Sequence, residues 1–177
     1  KEPNYSNVAA ALAVNALYKE VFRESVDSDT FDLQYKKSFV QGIKKLTKKE
    51  ILNEKLLSYD LKKLSEALVP DRDRKFKYLG LQILIDRYFI RSNNKIIESP
   101  QAFWMRIAMG LALNEKNKEE RAIEFYNLFS NLLYTPSTPT LFNSGTTHSQ
   151  LSSCYLNTFD DSIDGIFEGV WQEARKS

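Results

Sequence analysis

The chain has 177 residues, of which 42% are hydrophobic and 27% are charged, a composition that excludes a disordered or low-complexity protein. Its apolar runs are shorter than the ~20 residues of a membrane span, and its first four residues do not resemble a secretory signal. A net charge of +2 without a basic cluster argues against nucleic-acid binding. The chain contains one cysteine, Cys154, and one histidine, His148, which excludes an intrachain disulfide and a zinc site made from these residues alone. A single cysteine favours a reducing, cytoplasmic compartment.

The first part of the chain has the apolar spacing of helices. A helix is expected over residues 7–24 with Ser6 as its cap, and a second helix begins at Phe31, where large apolar residues recur every four positions. The pattern from Thr47 to Glu50 is that of a capping box, which predicts a short helix after it. Ser58 is expected to begin another helix, which ends before Pro70.

The middle of the chain is expected to contain the most apolar helix, over residues 76–90, with Leu79 and Ile83 among its buried residues. Acidic and basic residues alternate over 71–74, between two helices, and are interpreted as a solvated, self-paired surface. The dipeptide Ser99-Pro100 predicts a helix start, and a last helix of this region covers residues 118–133. Apolar stripes of this kind indicate a packed helical core.

The character of the sequence changes after residue 124, because residues 125–159 contain no Asp, Glu, Lys or Arg. Residues 135–153 are rich in Ser and Thr, and Pro136 and Pro139 predict an extended, half-buried loop with neutral hydroxyl groups. A strand is expected at residues 150–157, with Leu151, Ser153, Tyr155 and Asn157 on one face and Ser152, Cys154 and Leu156 on the other. Asp161 is the expected cap of an apolar helix that follows. Because one strand cannot bury itself, the chain is expected to be incomplete as a folding domain.

Three ordered motifs, at residues 138–146, 150–154 and 160–166, resemble the large, catalytic subunit of class I ribonucleotide reductases. The helical part of the chain is similar to the N-terminal helical domain of that family. The resemblance implies that residues 1–133 form this helical domain. It also implies that residues 134–177 begin a ten-stranded α/β barrel with a substrate loop, a redox-cysteine strand and an effector and dimer helix.

The resemblance also implies an activity and a site. The family reduces ribonucleoside diphosphates to deoxyribonucleotides by thiyl-radical chemistry. Cys154 matches the first cysteine of the redox pair that ends as a disulfide. Substrate-contacting positions are matched by Thr138 and Ser153. The start of the specificity-effector site is matched by Asp161, Ser162 and Ile163.

The partners implied by the resemblance are a ribonucleoside diphosphate, deoxynucleoside triphosphate or ATP effectors, a second large subunit in a homodimer, and thioredoxin or glutaredoxin as reductant. A metal-containing small subunit would supply the radical, and this chain alone would bind no metal or cofactor. The radical cysteine and the second redox cysteine would lie in the remainder of the large subunit, so the 177 residues are expected to be inactive alone. The alternative is a non-catalytic helical interaction module derived from the same family, for which no second cysteine near Cys154 is needed.

Overall fold

The computed structural model describes residues 3–154 and 156–175, with side chains from Tyr5 onward, and is mainly helical. In chain order the elements are α1 (Pro3–Phe22), α2 (Phe31–Lys48), α3 (Leu61–Glu66), α4 (Tyr78–Ile83), β1 (Arg91–Ser92), β2 (Lys95–Ile96), α5 (Pro100–Leu111), α6 (Lys118–Ser130), α7 (Thr138–Asn143) and α8 (Ile163–Ala174). Two 3₁₀ turns, Glu54–Ser58 and Pro70–Lys75, flank α3, and a π-helical turn, Leu84–Tyr88, extends α4. Strands β1 and β2 form a short antiparallel hairpin that pairs Arg91 with Ile96.

Helix α5 lies at the centre of the core. The expected start at Ser99-Pro100 is confirmed, with Ser99 as N-cap and the proline in the first turn. Apolar residues of α5 lie on most of its circumference, and Phe103, Trp104 and Ile107 are buried together with both methionines of the chain. Helix α6 packs along α5, and the aromatic stripe of α2, represented by Tyr35 and Phe39, is buried as its spacing predicts. A helix that is apolar around most of its circumference is the kind that other elements enclose.

Several helix boundaries differ from the sequence prediction. Helix α1 begins at Pro3, so Ser6 lies within it and is not its cap. The Thr47–Glu50 pattern does not begin a helix, because the Thr47 hydroxyl donates to the Ile43 carbonyl at the end of α2. Glu50 has a φ of 58° just after α2, a conformation that no helix start adopts. The same residue pattern therefore occurs here at a helix end.

The apolar region over residues 76–90 is also different. The helix is continuous over residues 78–88, but only α4 is α-helical, and the π-helical turn forms its second half. Leu79 is 70% exposed and Ile83 is 44% exposed, although both were expected in the core. Leu81 and Leu84 are buried in their place, which shows that the covered face of this helix is rotated from the expected one.

The last part of the chain departs furthest from expectation. Pro139 does not prevent a helix, because it lies in the first turn of α7, where its missing N–H has no helical partner to lose. No strand forms over the described residues 150–154 and 156–157. A single strand leaves its backbone groups without hydrogen-bond partners, so the expected strand does not form without neighbouring strands. Helix α8 forms as expected, although Ser162 and not Asp161 is its N-cap.

Candidate functional site

Helix α7 carries Thr138, the first of the predicted substrate-contacting residues. Thr138 is the first residue of the helix and is exposed, and its hydroxyl lies 3.4 Å from the hydroxyl of Tyr88. The Tyr88 ring also packs on Phe142, four residues further along α7, with 4.6 Å between ring centroids. Tyr88 therefore forms one wall beside Thr138, a role that the sequence analysis did not assign to it.

Ser153 and Cys154 lie in the irregular segment before α8. Both residues are exposed, and the Ser153 Oγ lies 3.8 Å from the Cys154 Sγ. The segment is joined to α7 at two points, because the Thr140 hydroxyl donates to the Leu151 carbonyl and the Asn143 amide donates to the Gln150 carbonyl. These bonds place the chain just before Ser153 and Cys154 beside the helix that carries Thr138.

The predicted effector residues surround the first turn of α8. The Ser162 hydroxyl accepts a hydrogen bond of 3.0 Å from the Gly165 N–H, which satisfies one of the free amides of the helix start. Asp161 and Ile163 are exposed on either side of this cap. Between described residues, no hydrogen bond or ion pair joins this trio to Thr138, Ser153 or Cys154.

A buried ion pair between Arg106 and Glu98 lies next to α7, and its arginine binds the C-terminal end of this helix. Arg106, which is completely buried on α5, donates from Nε to Glu98 Oε1 at 2.6 Å and from Nη1 to the Ser144 carbonyl at 2.6 Å. Its Nη2 also lies 3.4 Å from the Leu141 carbonyl. The guanidinium thus faces the C-terminal carbonyls of α7, where a positive charge is favourable. Arg106 could not be recognised from the sequence, because nothing local distinguishes it from a surface arginine.

The chain leaves α7 through a close contact with α5. A Cβ placed on Gly110 would lie 2.2 Å from the Gly145 nitrogen, so only glycine fits there. Gly145 has a φ of 78° and its carbonyl accepts from the Asn53 N–H at 3.0 Å. Thr147 continues this pairing by donating its N–H to the Ile51 carbonyl at 3.1 Å. The loop after α7 is therefore fixed on two sides.

A second buried polar cluster lies outside the predicted site and corrects the interpretation of residues 71–74 as a solvated, self-paired surface, which holds for the exposed pair Asp71 and Arg74 but not for Asp73. Asp73 is 1% exposed, and its carboxylate accepts hydrogen bonds from the Tyr18 hydroxyl at 2.6 Å, the Tyr35 hydroxyl at 2.8 Å and the Gln101 amide at 2.5 Å. Burial raises the pKa of Asp73 to about 6, and the three hydrogen bonds act in the opposite direction. Tyr18 and Asp73 also line a cavity of about 710 Å³.

Helix α8 presents an apolar face that the rest of the described chain does not cover. Ile163, Phe167 and Val170 are each more than 60% exposed, and Trp171 is 53% exposed. One part of α8 is covered, because the Phe159 ring packs on Gly169 so closely that a Cβ on this glycine would lie 1.8 Å from the ring. An exposed apolar stripe of this length is typical of a surface that another polypeptide covers.

Two negative findings concern the described residues only. Over 3–154 and 156–175, no group of three or more His, Cys, Asp or Glu side chains is placed to hold a metal ion. In the same part of the chain, none of the helices combines the length and the apolar character that crossing a bilayer requires.

Comparison with known proteins shows which sequences this chain resembles. Residues 74–149 match the family model described as "Ribonucleotide reductase, all-alpha domain". The ribonucleoside-diphosphate reductase subunit alpha of Chlamydia trachomatis is 44% identical over 177 residues, which cover 100% of this chain and 17% of that protein. The corresponding subunit of Helicobacter pylori is 39% identical over 173 residues, covering 97% of this chain and 21% of that protein. The large subunit of Danio rerio is 37% identical over 177 residues, again with 21% of that protein covered.

The match to this family model and the identity to these subunits along the whole chain show that the chain belongs to the ribonucleotide reductase family. Within that family it is the N-terminal part of the large, or alpha, subunit. The chain spans about a fifth of the length of the curated relatives that it matches.

Proposed function

We propose that this chain supplies the substrate-binding segment and one redox thiol of a ribonucleoside-diphosphate reductase. The observation that carries the proposal is the order of the three motifs along the chain. Arg106 on α5 binds the carbonyl of Ser144 just after α7, and Cys154 is exposed further along the same segment. The relatives that align along the whole chain are named as ribonucleoside-diphosphate reductases, which supports the same conclusion.

The proposed reaction assigns Cys154 the role of an electron donor. The C2′–O bond of the ribose breaks and a C2′–H bond forms, and the oxygen leaves as water. Two thiols supply the two electrons and two protons and become a disulfide. Cys154 is one of them, and the second lies in the remainder of the subunit, as does the cysteine that carries the radical. The exposed Sγ of Cys154 fits this role, because a sealed thiol could not reach either a substrate or a partner thiol.

The neutral character of residues 125–159 suits the proposed substrate contacts. Thr138 and Ser153 would hold the substrate through hydroxyl groups, since no charged side chain is present on this part of the chain. Thr138 has its hydroxyl beside Tyr88, so the Tyr88 ring is the natural boundary of the subsite.

The start of α8 is proposed as part of an effector site for a deoxynucleoside triphosphate or ATP. Ser162 uses its hydroxyl as the helix cap, which leaves the exposed carboxylate of Asp161 to accept a bond from a sugar hydroxyl. The exposed apolar face of α8 would form a contact of the homodimer. The metal-containing small subunit and thioredoxin or glutaredoxin would act on the assembled enzyme.

The domain division proposed here is a helical domain over 1–133 and the start of the α/β barrel over 134–177. The segment described at residues 150–154 and 156–157 would become part of a strand of that barrel when neighbouring strands pair with it. In such a strand Ser153 and Cys154 would lie on opposite faces, since successive side chains alternate along any strand.

The experiment that tests the function uses the full-length large subunit that contains this chain, its small subunit, a nucleoside diphosphate and an effector. Deoxynucleotide formation with thioredoxin as the only reductant is expected to vanish in Cys154→Ser. His148→Gln, an exposed loop substitution in the same segment, is the matched control and is expected to keep full activity. Undiminished turnover by Cys154→Ser under these conditions would contradict the proposed redox role.

The exposed apolar face of α8 also suits the alternative, a non-catalytic helical interaction module. The two functions differ in what must lie near Cys154. The reductase requires a second cysteine whose Cα lies about 4.4–6.8 Å away, the range over which a disulfide can form. Absence of deoxynucleotide from the complete wild-type mixture, without any disulfide to Cys154 after oxidation, would favour the module.

A further inference from the structure

We propose that Arg106 is a positioning residue that sets where Thr138 and the Gln150–Cys154 segment lie relative to each other. The inference rests on the proposed function for its catalytic consequence. Its structural part, that Arg106 holds α7 and the segment bonded to it, can be measured without any turnover.

Arg106 is connected to α7 by hydrogen bonds. The guanidinium reaches the Ser144 carbonyl from Nη1 and the Leu141 carbonyl from Nη2, at the C-terminal end of the helix. A six-residue helix makes few internal hydrogen bonds, so most of its carbonyls need partners from outside. Arg106 supplies two of those partners and a positive charge at the end of the helix where charge helps most.

Arg106 is also connected to the Tyr88 wall by way of Glu98. Glu98 pairs with the guanidinium through Oε1 and accepts the Ile90 N–H at its Oε2 with a distance of 2.9 Å. Ile90 follows Tyr88 closely in the chain, and Tyr88 faces Thr138. The ion pair therefore ties both sides of the proposed substrate subsite to α5.

Helix α7 is in turn connected to the segment that contains the proposed redox cysteine, Cys154. Thr140 and Asn143 on α7 bind the carbonyls of Leu151 and Gln150. A shift or rotation of α7 moves these two anchor points, and the chain continues from them directly to Cys154. Arg106 itself makes no contact with Thr138 or Cys154 in the structure, so its influence is exerted through α7.

The planar fork of arginine is required for this arrangement. Three separate acceptors, a carboxylate and two carbonyls, lie in different directions around one buried head group. A lysine at the same position keeps the charge but cannot hold a carboxylate and both carbonyls with the same fixed geometry. Arg106→Lys is therefore the informative variant, because it separates the geometry from the charge.

The test uses the full-length large subunit in its wild-type, Arg106→Lys and Tyr59→Phe forms. Tyr59→Phe is the matched control, because it removes a buried hydrogen bond of 2.7 Å to the Met109 carbonyl on the same helix and leaves the hydrogen bonds from Arg106 to Leu141 and Ser144 in place. Hydrogen exchange is measured at the backbone amides of Ser144, Thr146 and Thr147. These amides donate hydrogen bonds to the carbonyls of Thr140, Asn143 and Ile51, respectively. In parallel, kcat and KM for the nucleoside diphosphate are measured.

We expect Arg106→Lys to speed exchange at these three amides at least tenfold and to lower kcat at least tenfold, while Tyr59→Phe leaves both within about twofold of wild type. Equal exchange in the two variants would overturn the proposal, whatever happens to activity. If the wild-type subunit forms no deoxynucleotide, the proposed function fails, and the exchange measurement still decides whether Arg106 positions the segment.

Discussion

Replacing Asp73 with asparagine is expected to remove a specific pH dependence of stability. The Asp73 carboxylate is buried among α1, α2, α5 and the turn that carries it, and its three donors, Tyr18, Tyr35 and Gln101, are uncharged. No Lys or Arg among the described residues forms an ion pair with it, and Arg74 pairs with the exposed Asp71 instead. The ionised form is therefore held by neutral hydrogen bonds alone.

The sign of the effect follows from the raised pKa. The pKa of Asp73 is about 6 in the folded chain, compared with 3.8 for an unperturbed aspartate. Well below pH 3.8 the Asp73 carboxyl is protonated in both the folded and the unfolded chain, and Asp73 makes its full contribution to folding stability. Between these two pKa values the unfolded chain loses its proton first, so the contribution is lost as the pH rises through 6. The difference between the two pKa values corresponds to about 3 kcal/mol.

The assay is urea unfolding of the wild-type and Asp73→Asn chains between pH 4 and pH 7.5, followed by circular dichroism. The stability advantage of the wild type over Asp73→Asn is expected to shrink by about 2.4 kcal/mol across this range, because about 0.5 kcal/mol is already lost at pH 4. The other carboxylates titrate in both proteins and cancel in the comparison. An advantage that stays constant, or that grows with pH, would refute the reasoning.

Removing one donor provides the internal control. Tyr35→Phe leaves the carboxylate with one fewer hydrogen bond, which is expected to raise its pKa further and to destabilise the chain by about 1.5–3 kcal/mol at neutral pH. Tyr59→Phe also removes a buried tyrosine hydroxyl, but its partner is the Met109 carbonyl and not a carboxylate. The destabilisation in Tyr59→Phe is therefore expected to be independent of pH over the same range.

Three further outcomes are expected. Gly110→Ala should destabilise the chain by about 1–3 kcal/mol in thermal unfolding, because the new methyl group would overlap Gly145; an unchanged melting temperature would contradict the close contact. Iodoacetamide should modify Cys154 completely in the folded chain, as mass spectrometry will show, because its side chain is exposed; protection until unfolding would contradict this. Arg121→Gln removes an exposed i,i+3 pair with Glu124 and should change the free energy of unfolding by less than about 0.5 kcal/mol.

The parts of the fold that could be predicted from the sequence are those whose cause is local. The four-residue spacing on α2 places Tyr35 and Phe39 in the core, and Ser99-Pro100 begins α5, because cap and proline act within a single turn. The same reasoning fails for Thr47, since a hydroxyl followed by a glutamate three residues later can end one helix as readily as begin another. It fails for Leu79 as well, because an apolar pattern does not specify which neighbour covers which face.

The buried polar groups could not be predicted because their partners lie far away in the sequence. Asp73 is 55 residues from Tyr18, 38 from Tyr35 and 28 from Gln101. Viewed locally, it is one of several alternating charges in a turn, and only the packing of α1, α2 and α5 shows that it differs from its neighbours. Arg106 is a similar case, with its carbonyl partners 35 and 38 residues away.

The described residues 150–154 and 156–157 form no strand, for a different physical reason. A helix such as α8 satisfies its backbone hydrogen bonds internally, so it forms even with its apolar face exposed. A strand satisfies none of its backbone groups alone, so the same local signals produce an irregular segment unless another strand lies beside it. A strand at Ser153 and Cys154 therefore requires a neighbouring strand, whereas α8 forms without any element against its apolar face. Cys154 lies in the segment whose backbone conformation depends on a partner, and so its final position cannot be predicted from the local sequence.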